Sequence, residues 1–187
     1  MPTHVALLRG INVGGRNRVS MEDLREVVTA LGHGEVSTYI QSGNVLFTAA
    51  GEHSDALAGG IEQAIARALN VSPQVVVLTR EELAGAIDAN PFADEPDPKS
   101  VHGVFYRRLL GPERLAVVAA ELQRAAERGS GDEARVIGRT LYLRTPEGIG
   151  RSDLAARLTR PTAAGRADPG TARNWSTVTK LLSLMDA

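Results

Sequence analysis

Residues 1–79 carry apolar patterns that switch between strand and helix periods in one order, and that order restricts the fold more than any other feature. Thr3 to Arg9 reads as a buried strand. From Ser20 to Leu31 the apolar positions Leu24, Val27, Val28 and Leu31 fall on one helical face. Ser20 is placed as N-cap with Asp23 three residues on, and Gly32 and Gly34 form the stop. Val36 to Ile40 and Val45 to Thr48 read as strands joined by the turn Gln41-Ser42-Gly43-Asn44. Ser54 is positioned to cap a second helix with the face Leu57, Ile61, Ile65 and Leu69, which Gly59 and Gly60 weaken by about 1 kcal/mol each relative to alanine. Val75 to Leu78 is a β-branched run suited to a buried strand. The order is β-α-β-β-α-β, a ferredoxin-like unit.

From residue 80 the pattern starts again, less completely. Thr79 and Glu82 form a capping box for a short helix that ends before Asn90-Pro91, and Asp94 to Pro98 is an acidic, proline-rich connection. Val101 to Arg107 is a strand, and Pro112 suits the first turn of a helix with Leu115, Val118 and Leu122 on its apolar side. Arg135 to Ile137 and Thr140 to Leu143 form a hairpin over Gly138-Arg139. A second glycine loop, Gly148-Ile149-Gly150-Arg151, precedes Ser152, which caps a short helix. The stretch 161–170 is irregular, and Thr171 leads into a final helix. The expected class is α+β, with two ferredoxin-like βαββα-type halves, antiparallel or mixed sheets and helices packed on them. The halves are residues 1–79 and residues 80–187, the second ending in the C-terminal helix.

Composition narrows the chemistry. The 187 residues are 43% hydrophobic and 23% charged, enough for a real core. A net charge of −1 gives no global attraction for nucleic acid. There is no cysteine, so thiolate chemistry, iron–sulfur clusters and disulfides are excluded. His4, His33, His53 and His102 are scattered without metal-ligand spacing, so no metal and no cofactor are expected. No apolar run approaches the ~20 residues that span a bilayer. No signal-peptide pattern opens the chain, so a cytoplasmic location without membrane contact is expected. Arginine-dominated basic charge and abundant alanine fit a GC-rich bacterial genome.

The strongest candidate site follows the first strand. Arg9-Gly10-Ile11-Asn12-Val13-Gly14-Gly15-Arg16-Asn17-Arg18 combines glycines, asparagines and three arginines between a strand and a helix start. Such a loop can present backbone N–H groups and positive charge to an anion. It is neither a phosphate-loop pattern, since no Gly-Lys-Ser/Thr closes it, nor a dinucleotide fingerprint. A second cluster lies in the final helix, where Arg173, Thr177 and Lys180 would form one polar row beside Asn174, with Trp175, Val178, Leu182 and Met185 on the other side. That row suits a phosphate or carboxylate, or simply ties the fold together. The ligand-binding candidates are therefore Arg9, Gly10, Asn12, Gly14, Gly15, Arg16, Asn17, Arg173, Asn174, Thr177 and Lys180. The Gly148 to Ser152 loop repeats the idea more weakly. The Gln41 to Asn44 turn reads as a plain hairpin turn, expected at the opposite end of the sheet from the first loop. Asn90-Pro91-Phe92 reads as a structural corner with Phe92 in the core. No nucleophile elbow and no convergent pair of carboxylates is visible.

Four stretches together resemble a known family. Leu7 to Gly15, Thr38 to Val45, Asn90-Pro91-Phe92 and Thr171 to Val178 look like the bacterial domain-of-unknown-function family 1697, in order and along essentially the whole chain. The resemblance implies an α+β fold with two related ferredoxin-like halves and brings no activity, substrate or catalytic residue. In that family a lysine commonly follows the serine of the second glycine loop; here it is Asp153, which weakens an anion reading there.

The residues point to a protein that binds a small anionic ligand, phosphorylated or nucleotide-like, at the glycine- and arginine-rich loop. Three alternatives stay open: an enzyme acting on such a ligand, an RNA- or DNA-binding domain, and a structural or dimerising protein. Tyr39, Phe47 and Phe105 form no aromatic recognition motif, so nucleic acid is not favoured.

Overall fold

The computed structural model describes residues 1–14, 17–51, 53–160 and 170–187. The elements in the first half are β1 (His4–Arg9), α1 (Met21–Ala30), β2 (Gly34–Tyr39), β3 (Asn44–Thr48), α2 (Ser54–Leu69) and β4 (Gln74–Thr79), and α3 (Arg80–Asp88) follows in the chain. The second half holds β5 (Val101–Phe105), α4 (Pro112–Glu127), β6 (Glu133–Ile137), β7 (Thr140–Arg144), a 3-10 turn (Ile149–Arg151), α5 (Asp153–Thr159), β8 (Thr171–Asn174) and α6 (Trp175–Met185). The strands form two four-stranded sheets, ordered β2-β3-β1-β4 and β6-β7-β5-β8. Every pairing is antiparallel. The fold is α+β with two similar halves.

The chain divides into two compact units, Met1–Gly85 with Lys180–Ala187, and Ala86–Thr179. In the first, Ala6, Leu8, Phe47, Val75 and Val77 of the sheet pack on Leu24, Val28, Ile61 and Ile65 of α1 and α2. Fully burying one such side chain contributes about 1.5–3 kcal/mol. In the second, Val104, Leu141 and Leu143 pack on Val118 of α4 and on Leu154 and Leu158 of α5.

Local chemistry explains most boundaries. Ser20 Oγ accepts from Asp23 N at 3.0 Å, which caps α1, and Glu22 and Asp23 add acidic charge at the positive end of that helix. Thr79 and Glu82 exchange both bonds of a capping box at α3. Pro112 opens α4 where its missing N–H costs nothing.

Five expectations need correction. Leu31, expected on the apolar face of α1, is its C-cap and is exposed. Ser54 lies inside α2; the N-cap is His53, with no side-chain bond. Leu115 is exposed, because only Val118 of α4 is fully covered. Phe92 is half-buried rather than a core residue, held by an Asx turn in which Phe92 N donates to Asn90 Oδ1 at 3.0 Å. Thr171–Asn174 is a strand rather than the start of a helix: it pairs with β5 in the register Phe105↔Thr171, Gly103↔Arg173, and completes the second β-α-β-β-α-β unit. Four residues with one arginine and one asparagine carry too little β pattern to outweigh the helical period that follows. The irregular stretch expected at 161–169 lies outside the described residues.

Candidate functional site

The first glycine loop leaves β1 at Gly10 and returns to α1 at Ser20. Two asparagines close it from within. Asn12 lies in the left-handed region at φ 53, and its side chain makes three bonds. Nδ2 donates to Val19 O at 2.9 Å and to Gln41 O at 3.0 Å, and Oδ1 accepts from Val19 N at 2.9 Å. Asn17, at φ 50, donates from Nδ2 to Gly10 O at 2.8 Å, while its own carbonyl accepts from Asn12 N at 3.1 Å. Asparagine tolerates left-handed backbone better than other side-chain-bearing residues, and its amide substitutes for a backbone partner. Asn12 and Asn17 therefore act first as braces, which shape the loop that any ligand would meet.

The bond from Asn12 to Gln41 corrects the expected position of the β2–β3 turn. β3 runs antiparallel to β1 with Leu7 opposite Asn44, so the start of β3 lies beside the end of β1. The turn and the loop share one end of the sheet. Leu8 N donates to Gly43 O at 2.8 Å. Gly43 has φ +77, and a Cβ there would stand 2.8 Å from both Leu8 Cβ and Ile11 Cδ1. Only glycine permits that approach. Asn44 is fully buried and donates to Tyr39 O at 3.0 Å and Ser42 Oγ at 2.9 Å, which sets the turn from inside. Gln41, Ser42, Gly43 and Asn44 thus belong to the candidate site, although the sequence reading kept them apart from it. The available signal was topological, since in β-α-β-β-α-β the first loop and the hairpin turn must point the same way.

Around this frame Arg9 is half-buried at the end of β1, opposite Gln74, and Gly10, Gly14, Asn17 and Arg18 are exposed. Gly15 and Arg16 lie outside the described residues. Arg9 and Arg18 therefore stand beside described backbone that the Asn12 and Asn17 side-chain amides tie together.

The C-terminal candidates occupy different elements from those expected. Arg173 sits in β8, is 8% exposed, and bonds from Nη1 to Thr171 Oγ1 at 2.9 Å and Ala172 O at 2.8 Å. Burial pushes its pKa down to about 10, which leaves it charged at neutral pH. Asn174 Oδ1 accepts from Thr177 N at 2.8 Å, so Asn174 caps α6 and Thr177 is its third residue. Lys180 is exposed further along α6. The polar row drawn at helical spacing thus loses Arg173, because the helix begins two residues later. Arg173, Asn174 and Thr177 fall in the second unit, and Lys180 groups with the first.

The second glycine loop forms the 3-10 turn Ile149–Arg151, and Ser152 caps α5 by accepting from Ala155 N at 2.9 Å. It borders a cavity of about 460 Å³. Charges there are mixed: Arg124 and Arg157 approach Glu121, Arg128 approaches Asp153, and Ser152 Oγ donates to Asp132. That pairing gives an anion no clear advantage. Among the described residues no group of three or more histidines, aspartates and glutamates is arranged to hold a metal, and no helix is long and apolar enough to cross a membrane.

The family model described as "Protein of unknown function (DUF1697)" matches residues 1–142. The chain belongs to this family. The braced loop, the Gln41–Asn44 turn and the Asn90-Pro91-Phe92 corner all lie inside the matched DUF1697 region. A solved structure, the conserved bacterial protein SP0830 from Streptococcus pneumoniae, is 23% identical and covers 97% of each chain with a TM-score of 0.72. That likeness speaks for the fold. No curated protein matches the chain.

Proposed function

We propose that the protein binds a small anionic ligand, a phosphate ester or a related nucleotide-like molecule, on the loop between β1 and α1. One observation carries the reading. Asn12 and Asn17 tie the described parts of a glycine-rich, arginine-bearing loop, residues 10–14 and 17–19, to one another and to the β2–β3 turn through side-chain bonds. Preorganisation of this kind removes an entropic cost from binding. Arg9 and Arg18 supply charge, and Gly10 and Gly14 leave the backbone open to close approach. Ligand binding to nucleic acid through stacking on the sheets is disfavoured, because Phe47 and Phe105 are 0% and 1% exposed.

The test is a titration of inorganic phosphate into isotopically labelled protein, followed by amide shifts. The expected result is saturable shifts at Gly10, Asn12, Gly14 and Asn17. Arg9→Ala and Arg18→Ala should each weaken binding about tenfold, the loss of one charge-assisted contact, with Arg18→Ala leaving the melting temperature unchanged. Absence of loop shifts at millimolar phosphate would overturn the reading.

A further inference from the structure

The braced corner carries two apolar side chains that the fold does not bury. Val13 is 69% exposed and Ile40 is 50% exposed, whereas the neighbouring Ile11 and Val19 are buried. Each exposed residue adjoins in sequence one partner of the Asn12–Gln41 hydrogen bond, which brings both to the same corner. A single exposed aliphatic residue carries little meaning, but one within the cationic loop and one beside its brace place two at the same corner.

Ile40 adds an independent observation. It sits at φ 48, in the left-handed region. The other non-glycine residues with positive φ among the described residues are Asn12, Asn17, Asn70 and Glu35, so Ile40 is the β-branched exception. A β-branched side chain in that region is strained, and asparagine or glycine would relieve it. Strain of this kind collects where a side chain serves something other than folding. Here the fold gains neither burial nor backbone comfort from isoleucine.

We infer that Val13 and Ile40 form an apolar shelf beside the anion-binding loop, and that the ligand is a phosphate monoester whose organic part is apolar or planar. This rests on the loop reading above. The phosphate meets Arg9, Arg18 and the backbone at Gly10 and Gly14. The organic group lies on Val13 and Ile40. The shelf selects among anions of equal charge.

The discriminating experiment compares phenyl phosphate, glycerol phosphate and inorganic phosphate by calorimetric titration. Wild type should bind phenyl phosphate at least fivefold more tightly than glycerol phosphate. Val13→Ser and Ile40→Asn should each erase most of that preference and leave inorganic phosphate affinity unchanged. Ile40→Asn should also melt no lower than wild type, because it relieves the left-handed backbone; a purely structural role for Ile40 predicts a lower melting temperature instead. Equal affinity for the two esters, or loss of inorganic phosphate affinity in the shelf variants, overturns the shelf while the loop reading stands. If none of the three compounds binds, both readings fall.

Discussion

The two halves repeat one topology, and the corners after their first strands differ. Between β1 and α1 the chain runs from Gly10 to Ser20, eleven residues, while between β5 and α4 it runs from Tyr106 to Gly111, six residues. Both corners keep the same anchor to the hairpin turn. Leu8 N donates to Gly43 O in the first, and Tyr106 N donates to Arg139 O at 3.0 Å in the second. The first adds the Asn12 and Asn17 braces and the tight seat of Gly43 against Leu8 and Ile11, where the second has a bond from Arg139 Nη1 to Arg107 O at 3.3 Å. In the second, Gly138 has φ +58 but open space around it. The shorter corner shows that a sheet of this order closes without the longer loop. The extra residues are therefore more than closing such a sheet requires, which is why the first corner is the better place for a function.

Breaking each corner at its turn glycine should give the largest contrast. Gly43→Ala combines a left-handed backbone with overlap against Leu8 and Ile11, and should cost about 3 kcal/mol in urea denaturation. Gly138→Ala meets only the backbone preference and should cost about 1 kcal/mol. Equal losses would remove the distinction between the corners. Next, Asn12→Ala removes three side-chain bonds and should destabilise by about 2 kcal/mol. It should also raise amide exchange from Gly10 to Val19 while exchange in the Tyr106 to Gly111 corner stays unchanged.

A smaller effect separates the two units by pH. Burial lowers the pKa of both His4 and His102, and for His4 the nearby Glu82 and Glu81 partly oppose that shift. A histidine whose folded pKa lies below its unfolded value of about 6.5 leaves stability unaffected above that pH. Below it the unfolded chain takes up a proton that the native state resists, and stability falls. His102→Gln should flatten this acid limb between pH 7.5 and pH 5.5 more than His4→Gln does, as read from denaturation midpoints. The smallest effect is at the surface. Arg80 and Asp186 pair at 2.5 Å but are 40% and 41% exposed, so Arg80→Ala should leave the midpoint where it is.

Much of the architecture was legible because local signals agreed with tertiary structure. The apolar face of α1, the Ser20 cap, the Thr79–Glu82 box and the Gly138-Arg139 hairpin each depend on residues close in sequence. β8 was hidden because its identity depends on pairing with β5, some seventy residues earlier, and not on its own four side chains. At the candidate site the sequence marked Arg9, Gly10 and the asparagines as unusual. It could not say that Asn12 would reach across to Gln41, since that bond spans 29 positions.

By itself, then, the amino-acid sequence determined the element order as far as α5, an imperfect two-part repeat and the presence of an arginine- and glycine-bearing loop after the first strand. These follow from period, caps and turn residues, which act over a few neighbours. The shared end of the sheet for that loop and the Gln41–Asn44 turn was implied by the element order and realised by pairing, whereas tertiary structure alone decided that Arg173 lies buried in a strand and that Val13 and Ile40 stay exposed. Antiparallel pairing between β1 and β3 sets the first, pairing between β5 and β8 the second, and the third depends on which surfaces the completed fold covers.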